Sequence, residues 1–372
     1  MKKSISLILP FFLIVIQCSF SQSRLRDYDI QVGVLEPGIK NSILDVPRVS
    51  VGQVTKIEGE TVRTGVTVIL PHQGNIFQQK TPAAVFIGNG FGKLAGTTQI
   101  DELGNIESPI VLTNTLSVAA GIEGVITYTL AQEGNGEVQS VNAIVGETND
   151  GFLNDIRGMH VSKNDVLQAI ENSSEELLEE GNVGAGTGTV CFGFKGGIGS
   201  ASRKLPTSLG SYTVGVLVQS NFGGVLQING AEVGKELGQY AFKNQLESAD
   251  GSCMIIVATD APVGERNLKR MAQRAMMGLA KTGGIASNGS GDYVIAFSNY
   301  EENLIPHQQE PLMLLEKKEL RNDDMTALFL ATIEATEEAI LNSLFAAQDM
   351  QGKDGRTVKA LPITEVMKIL NK

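Results

Sequence analysis

The stretch DGSCMIIVATDAP, residues 250–262, places a buried, β-branched run directly after a Gly-Ser pair. Met254–Thr259 has the length and composition of a strand that is covered on both faces. Pro262 is suited to opening a helix, and a second apolar run, Tyr293–Phe297, predicts another strand beyond it. A helix between two buried strands suits packing onto a sheet. This part of the chain therefore predicts a layered α/β fold.

The rest of the chain continues the alternation of strands and helices. Apolar runs bounded by Gly or Pro predict strands at Val66–Leu70, Ala83–Ile87 and Thr213–Val218. Apolar residues at helical spacing predict a helix from Asn164 to Glu180 ended by Gly181, a long helix capped by Asp323 or Asp324, and a short helix over Glu365–Leu370. No repeat or linker interrupts this pattern. Residues 22–372 are therefore predicted to form a single layered α/β domain.

The N-terminal segment has the features of a secretory signal peptide. Two lysines precede the apolar run Ile5–Ile16, and residues 19–21, Ser-Phe-Ser, give the small-x-small pattern that a signal peptidase accepts. We expect residues 1–21 to be removed and the protein to be exported, either to the periplasm or out of the cell. The run is shorter than the roughly 20 apolar residues that cross a bilayer, so no stable membrane span is expected. Lipid attachment at Cys18 is the alternative, which Gln17 disfavours because a small residue is required there.

Charge and composition exclude several classes of function. The formal net charge of −11, with no cluster of Lys or Arg, argues against a nucleic-acid partner. The histidines, His72, His160 and His307, have no spacing typical of a zinc site, so neither a metal nor another cofactor is expected. Without the leader only Cys191 and Cys253 remain, and their apolar or glycine neighbours indicate buried thiols rather than a disulfide.

The bond between Gly251 and Ser252 stands at the mouth of the predicted strand, where a reacting group can be held rigidly. Because Gly251 has no Cβ, the peptide can adopt a strained geometry in which the Ser252 hydroxyl attacks the Gly251 carbonyl carbon. Hydrolysis of the resulting ester would free Ser252 as a new N-terminus. Its α-amine, with an ordinary pKa of about 7.7–8.0, would then serve as the base for its own hydroxyl, so no histidine is needed. Gly-Ser is also a common turn dipeptide, and its surroundings must decide between the two interpretations.

Blocks of sequence around and upstream of the Gly251–Ser252 bond favour the catalytic interpretation over the turn. The nearby blocks are residues 250–252 with 258–262, 288–292 with 295–298, and 215–221. The upstream blocks are Arg24–Asp27, Leu44–Pro47, Gly65–Pro71, Gly88–Gly92, Pro109–Thr115, Gly184–Thr189 and Phe192–Gly197. In this order they resemble the DmpA/BapA family of self-processing aminopeptidases, peptidase family S58, over nearly the whole mature chain. The resemblance implies a four-layer αββα sandwich like that of N-terminal-nucleophile hydrolases, self-cleaved into residues 22–251 and 252–372 and assembled into a homo-oligomer of such pairs.

The resemblance also implies roles for individual residues. Ser252 matches the nucleophile of the family. Asn221, which follows a strand, matches an asparagine whose amide would donate to the oxyanion of a tetrahedral intermediate. Ser290 and Asp292, two residues apart on an extended segment and so on one face, match a serine and an acidic residue that orient the nucleophile and its amine.

Two further positions concern the substrate. Glu147 matches a glutamate that faces the free amine of the substrate, and a carboxylate is the natural partner of an ammonium. Asn149 stands where members of the family carry a tyrosine, which bears on substrate preference. Without the resemblance, Asn221 and the Ser290–Asp292 pair would be interpreted as turn residues and Glu147 as a solvated carboxylate.

The sequence therefore predicts an exported serine aminopeptidase or amidase that hydrolyses short peptides, or amino-acid amides and esters, from the N-terminus through an acyl-enzyme on Ser252. Two alternatives stay open. One is a catalytically silent binding protein of the same fold. The presence of all four candidate residues, Ser252, Asn221, Ser290 and Asp292, argues against it. The other is an acyl transferase resembling ornithine acetyltransferases, which cut before threonine rather than serine. The sequence leaves open the choice among L-, D- and β-amino acid substrates.

Overall fold

The computed structural model describes residues 23–243, 251–307 and 314–372, which form seven α-helices and sixteen β-strands. The expected signal peptide, residues 1–21, and the alternative lipid site at Cys18 lie outside the described residues. Across the described ranges, no helix combines the length and apolar character that crossing a membrane requires. The helices are α1 Thr97–Leu103, α2 Val118–Ala131, α3 Lys163–Glu171, α4 Val233–Glu236, α5 Glu265–Lys281, α6 Thr326–Phe345 and α7 Ile363–Leu370.

The strands are mostly short, and the longer ones build two sheets. Their bounds are β1 Ser50–Glu58, β2 Val62–Leu70, β3 Gln79–Gly90, β4 Leu94–Ala95, β5 Asn105–Ile106, β6 Ile110–Asn114, β7 Ile144–Thr148, β8 Val190–Cys191, β9 Phe194–Lys195, β10 Ile198–Lys204, β11 Thr213–Asn221, β12 Ser252–Thr259, β13 Gly291–Ser298, β14 Ile305–Pro306, β15 Met350–Gln351 and β16 Thr357–Val358. One sheet has the order β1-β2-β6-β7-β4. The other has the order β10-β11-β12-β13-β3-β14, with β5 beside β3. β8–β9 and β15–β16 are separate two-stranded ribbons.

Three apolar layers hold the two sheets and four helices together. Alternate residues of β12 point to opposite sides, so Met254 and Ile256 pack between the sheets while Cys253 and Ile255 pack against α5 and α6. A third cluster, including Val145, joins the first sheet to α2 and α3. The order of layers is helix, sheet, sheet, helix. The predicted αββα sandwich is therefore confirmed, because each sheet is apolar on both faces and needs a cover on each.

Each sheet contains one parallel pair made by a helical crossover. α5 connects β12 to β13, and α2 connects β6 to β7. The sheets approach closely where these pairs face each other: a Cβ added to Gly146 of β7 would lie 2.4 Å from the terminal methyl of Met254. This approach brings the end of β7 beside the start of β12, and the candidate residues lie at that edge.

Helix boundaries differ from the prediction in several places. α5 begins at Glu265, three residues after Pro262, and α7 begins at Ile363 instead of Glu365. α3 ends at Glu171 instead of Glu180, because the chain then pairs with β1 through reciprocal backbone bonds between Ser174 and Val51, 3.0 and 3.1 Å long. The Ser174 hydroxyl accepts two backbone N–H groups of the following turn and so stabilises the exit from the helix. Asp324 does not cap α6. Its carboxylate pairs with Arg321, 2.8 Å away, in a 3₁₀ turn that precedes the helix.

The predicted strands are confirmed, and most are longer than their apolar runs. The run that began at Met254 starts at Ser252, and the run that began at Tyr293 starts at Gly291. Cys191 and Cys253 are both free and buried, as predicted. Apart from Cys253, which packs in the core, the extra residues at these strand starts, Ser252, Gly291 and Asp292, are polar or glycine and belong to the candidate site.

Candidate active site

Ser252 occupies the first position of β12, in the middle of the second sheet. Its antiparallel neighbour is Asn221, the last residue of β11, and its parallel neighbour is Gly291, the first residue of β13. The Ser252 hydroxyl donates to the carbonyl oxygen of Gly251 over 2.7 Å. The Gly291 N–H donates both to Ser252 Oγ, at 3.2 Å, and to the Gly251 carbonyl oxygen, at 3.3 Å. The hydroxyl thus lies against the preceding carbonyl, and one N–H group polarises both.

Gly251 has no room for a side chain. An added Cβ would lie 2.5 Å from the Asn221 carbonyl oxygen and 2.5 Å from Phe222 Cα. Both are backbone atoms, which cannot swing away as the end of a side chain can. Glycine is therefore needed at this position because the backbone of residue 251 passes too close to the end of β11 for a side chain to fit.

The side-chain amide of Asn221 is held in one orientation. Its Oδ1 accepts the Val190 N–H at 2.9 Å, which leaves Nδ2 as the donor, and Nδ2 donates to the Asn149 carbonyl oxygen at 3.1 Å. An amide nitrogen carries two hydrogens, so one bond does not exhaust it. The residue is 8% exposed and lies in the wall of the same cavity as Ser252. It is a fixed dipole next to the candidate nucleophile.

Ser290 and Asp292 meet, as the two-residue spacing predicted. The Ser290 hydroxyl donates to Asp292 Oδ1 over 2.8 Å, and Asp292 stands beside Cys253 in the parallel pair of β12 and β13. Burial is the main reason that the pKa of Asp292 rises to about 6. Its other oxygen, Oδ2, has no hydrogen-bond partner among the described residues. The carboxylate therefore has unused acceptor capacity on β13, at the residue paired with Cys253, which follows Ser252 in β12.

Glu147 lies in β7, on the opposite sheet, and its carboxylate is buried with only 3% exposed. Oε1 accepts the Lys93 N–H at 2.9 Å, and Oε2 accepts the Thr115 hydroxyl. The Lys93 ammonium lies 3.6 Å from Oε1. Gly92 passes so near that an added Cβ would be 3.2 Å from Oε1. The carboxylate is thus fixed in place by two elements of the chain.

Asn149 lies in the wall of the cavity but uses its side chain locally. Its Oδ1 accepts the Gly151 N–H at 2.9 Å and so shapes the turn after β7. Its carbonyl oxygen is the group that holds Asn221. The contribution of Asn149 in this structure is therefore made by its backbone.

Gly251, Ser252, Asn221, Glu147 and Asn149 line a cavity of about 870 Å³, a size that suits a small-molecule ligand, whereas Ser290 and Asp292 are not part of its lining. Lys93 and Thr115 add further polar groups to its wall. Aromatic side chains make up much of the remaining wall, namely Phe91, Phe152, Phe192, Phe194, Phe222 and Tyr240. The cavity therefore combines a few converging polar groups with an apolar lining.

Lys195 supports the hairpin that orients Asn221, a role that no sequence pattern indicated. Its side chain is fully buried, and its ammonium donates to the carbonyl oxygens of Gly186, at 3.0 Å, and Gly196, at 2.7 Å. These two residues bracket the β8–β9 hairpin that carries Val190. Burial lowers the pKa of Lys195 to about 7. The sequence analysis also did not identify the roles of Lys93, Thr115 and the Gly291 N–H. These roles arise from contacts between segments that are distant in sequence.

Comparison with known proteins places the chain among peptidases. The sequence model described as peptidase family S58 matches residues 41–358. The chain is 40% identical to a protein named beta-peptidyl aminopeptidase BapA from Sphingosinicella microcystinivorans, with 94% of this chain and 92% of that protein covered.

Solved structures share the fold, and two of them illustrate the similarity. A protein from Pyrococcus horikoshii OT3 has a TM-score of 0.87 and 47% identity, covering 94% of this chain and 99% of the other. The L-aminopeptidase D-Ala-esterase/amidase from Ochrobactrum anthropi has a TM-score of 0.86 and 33% identity, covering 94% and 98%. That second structure is described as a prototype of the serine aminopeptidases and a variant of the Ntn hydrolase fold.

Proposed function

The chain belongs to peptidase family S58 and is an aminopeptidase, and from this premise we propose that it cuts itself after Gly251 and then uses Ser252 as its nucleophile. The observation that carries the proposal is the Ser252 hydroxyl lying 2.7 Å from the Gly251 carbonyl oxygen while the Gly291 N–H donates to both atoms. A hydroxyl against a polarised carbonyl is the arrangement that an intramolecular acyl shift requires.

In the self-cleavage step, Ser252 Oγ attacks the Gly251 carbonyl carbon and loses its proton. The carbonyl oxygen becomes negative, and the Gly291 N–H that already faces it stabilises that charge. The C–N bond then breaks and the Ser252 nitrogen takes up a proton, which leaves an ester between Gly251 and Ser252 Oγ. Water hydrolyses the ester and yields a Gly251 carboxylate, a free hydroxyl and a free α-amine.

In the second reaction the new α-amine takes the hydroxyl proton, and Ser252 Oγ attacks the carbonyl carbon of the substrate. Asn221 Nδ2 donates to the resulting oxyanion, in the orientation that the Val190 N–H fixes. The ammonium returns its proton to the leaving amine, and an acyl-enzyme remains. Asp292, with its free Oδ2, stabilises the ammonium form of Ser252 while Ser290 holds the other oxygen. Water then releases the product acid.

The free amine of the substrate binds Glu147, which makes the enzyme an exopeptidase. The carboxylate is buried in the cavity wall and held by the Lys93 N–H and the Thr115 hydroxyl, so it is oriented before the substrate arrives. The similarity to a protein named beta-peptidyl aminopeptidase supports N-terminal β-aminoacyl residues as one substrate class. The apolar cavity wall fits uncharged groups beyond the scissile bond.

A panel of aminoacyl p-nitroanilides tests this function. The wild-type protein should release p-nitroaniline from substrates with a free amine and leave their N-acetyl derivatives intact. Addition of substrate followed by acid quenching should show a mass increase of one acyl group on the chain that contains Ser252. Activity retained by a Ser252→Ala variant, or equal cleavage of acetylated substrates, would contradict the proposal.

We also propose that residues 1–21 direct export and that the processed chain pairs assemble into a homo-oligomer. The charged, apolar and small-residue order of the leader supports the first proposal. Fractionation of cells that express the full chain tests it, and an intact N-terminus at Met1 would contradict it. Light scattering of the purified protein tests the second, and the mass of a single chain pair would contradict it.

A further inference from the structure

Lys93 places a positive charge next to the carboxylate that we assign to the substrate amine. Its ammonium lies 3.6 Å from Glu147 Oε1, and its side chain is 56% exposed, whereas that of Glu147 is 4% exposed. Both residues line the cavity that contains Ser252. An anion and a cation therefore stand side by side, one rigid and buried, the other on a mobile stem at the cavity surface.

The ion pair does not explain how Glu147 is fixed. The Thr115 hydroxyl and the backbone N–H of Lys93 already hold both oxygens, so the carboxylate keeps its position without the Lys93 ammonium. A pair with one exposed partner contributes little to stability. The other lysine in the described wall, Lys359, forms a surface ion pair with Asp349, whose Oδ2 is 2.7 Å from its ammonium, and among the described ion pairs it makes none with Glu147. Among the described lining residues, Lys93 is thus the cation available to a ligand at Glu147.

A substrate ammonium bound at Glu147 would come close to this cation. For a substrate with an uncharged group on the amine-bearing carbon, the two positive charges repel each other. If that carbon also carries a carboxylate, the ammonium pairs with Glu147 and the carboxylate pairs with Lys93. An ammonium and a carboxylate on one carbon are the head group of an α-amino acid.

The head group must also leave the carbonyl of the scissile bond free to reach Ser252. This condition excludes an ordinary N-terminal α-residue, whose own carboxyl forms the peptide bond. An aspartyl residue linked through its side-chain carboxyl meets the condition, because it keeps both its α-ammonium and its α-carboxylate. Its amine is separated from the scissile carbonyl by two carbons, as in a β-amino acid.

Resting on the proposed function, we propose that Lys93 and Glu147 together form a receptor for the α-amino acid head group of β-aspartyl peptides, and that Lys93 selects for the α-carboxylate. No new chemical step is needed. Ser252 attacks the side-chain carbonyl of the aspartyl residue, the amine of the next residue leaves, and hydrolysis releases free aspartate.

Two substrates that differ in one group provide the test. L-β-Aspartyl p-nitroanilide carries a carboxylate on the amine-bearing carbon, and 3-aminobutanoyl p-nitroanilide carries a methyl group there. The ratio of their kcat/KM values should favour the β-aspartyl substrate in the wild type. In Lys93→Met this ratio should fall about threefold to fivefold, mainly through a higher KM for the β-aspartyl substrate, because one partly exposed ion pair is lost.

The matched control is Lys269→Met. Lys269 forms an ion pair with Asp101 at 3.1 Å, and its side chain is 51% exposed. Its replacement removes one positive charge, as Lys93→Met does, but at a position outside the cavity. This variant should keep the wild-type ratio. A wild-type preference for the methyl substrate, or an unchanged ratio in Lys93→Met, overturns the role of Lys93 while cleavage of 3-aminobutanoyl p-nitroanilide still upholds the aminopeptidase. Cleavage of neither substrate by correctly processed protein overturns both.

Discussion

Replacing Gly251 with alanine tests whether the close approach at the cut site is required for self-cleavage. The added Cβ would lie 2.5 Å from the Asn221 carbonyl oxygen and from Phe222 Cα, almost an ångström short of the 3.4 Å at which ordinary van der Waals contact begins. Because both neighbours are backbone atoms of the β11 end, the Gly251 carbonyl must move instead. A displacement of about 1 Å in a reacting group lowers rates by about a hundredfold. We expect self-cleavage to slow by that factor.

The assay is a time course of precursor synthesised in a cell-free system, followed on a denaturing gel. Gly136→Ala is the matched control, since an alanine there meets nothing within 4 Å and the backbone needs no positive φ. This variant should be cut at the wild-type rate. Thermal unfolding of both variants checks that the fold persists. Wild-type cleavage in Gly251→Ala would refute the close-approach reasoning.

Three further predictions concern the assigned roles. Asn221→Ala should lower kcat by about a hundred- to a thousandfold with little change in KM, the loss expected for one oxyanion donor, and a change in KM alone would contradict the role. Glu147→Gln should lower kcat/KM for free-amine substrates about ten- to a hundredfold, mostly through KM, and an unchanged KM would contradict it. Burial raises the pKa of Asp292 to about 6 in the folded protein. In uncut Ser252→Ala protein, the contribution of this shift to the free energy of unfolding is therefore fully present below about pH 4 and is lost as pH rises through 6. Adding Asp292→Asn should remove about 3 kcal/mol of that pH dependence of the free energy of unfolding, and identical pH profiles would contradict it.

The sequence predicted five strands, β2, β3, β11, β12 and β13, because each contains an apolar run marked at its ends by small or polar residues, but it did not predict β1, β6, β7 or β10. A run such as Met254–Thr259 needs no periodicity to be recognised, since every position before Thr259 is apolar and the ends are marked by small or polar residues. The boundaries were less certain where a local side chain competes with the helix. Ser174 bonds to its own turn and ends α3 early, which hydrophobic spacing cannot reveal.

The candidate site likewise contains some contacts that could be predicted from the sequence and others that could not. Ser290 and Asp292 are two residues apart, so the hydrogen bond between them could be predicted from local geometry. Lys93 and Glu147 are far apart in sequence, and only the folding of β4 against β7 brings them together. The orientation of Asn221 depends on a backbone N–H from the β8–β9 hairpin, which carries no sequence signal. Contacts made by the backbone could therefore not be predicted from residue types.

The central claim is that Ser252 becomes an N-terminus before it becomes a nucleophile. Intact-mass measurement and N-terminal sequencing of active, purified protein test it most directly. We expect two chains, with the smaller one beginning at Ser252, and a single uncut chain in the Ser252→Ala variant. Active protein that consists of one uncut chain, or a smaller chain that begins at any other residue, would contradict the account.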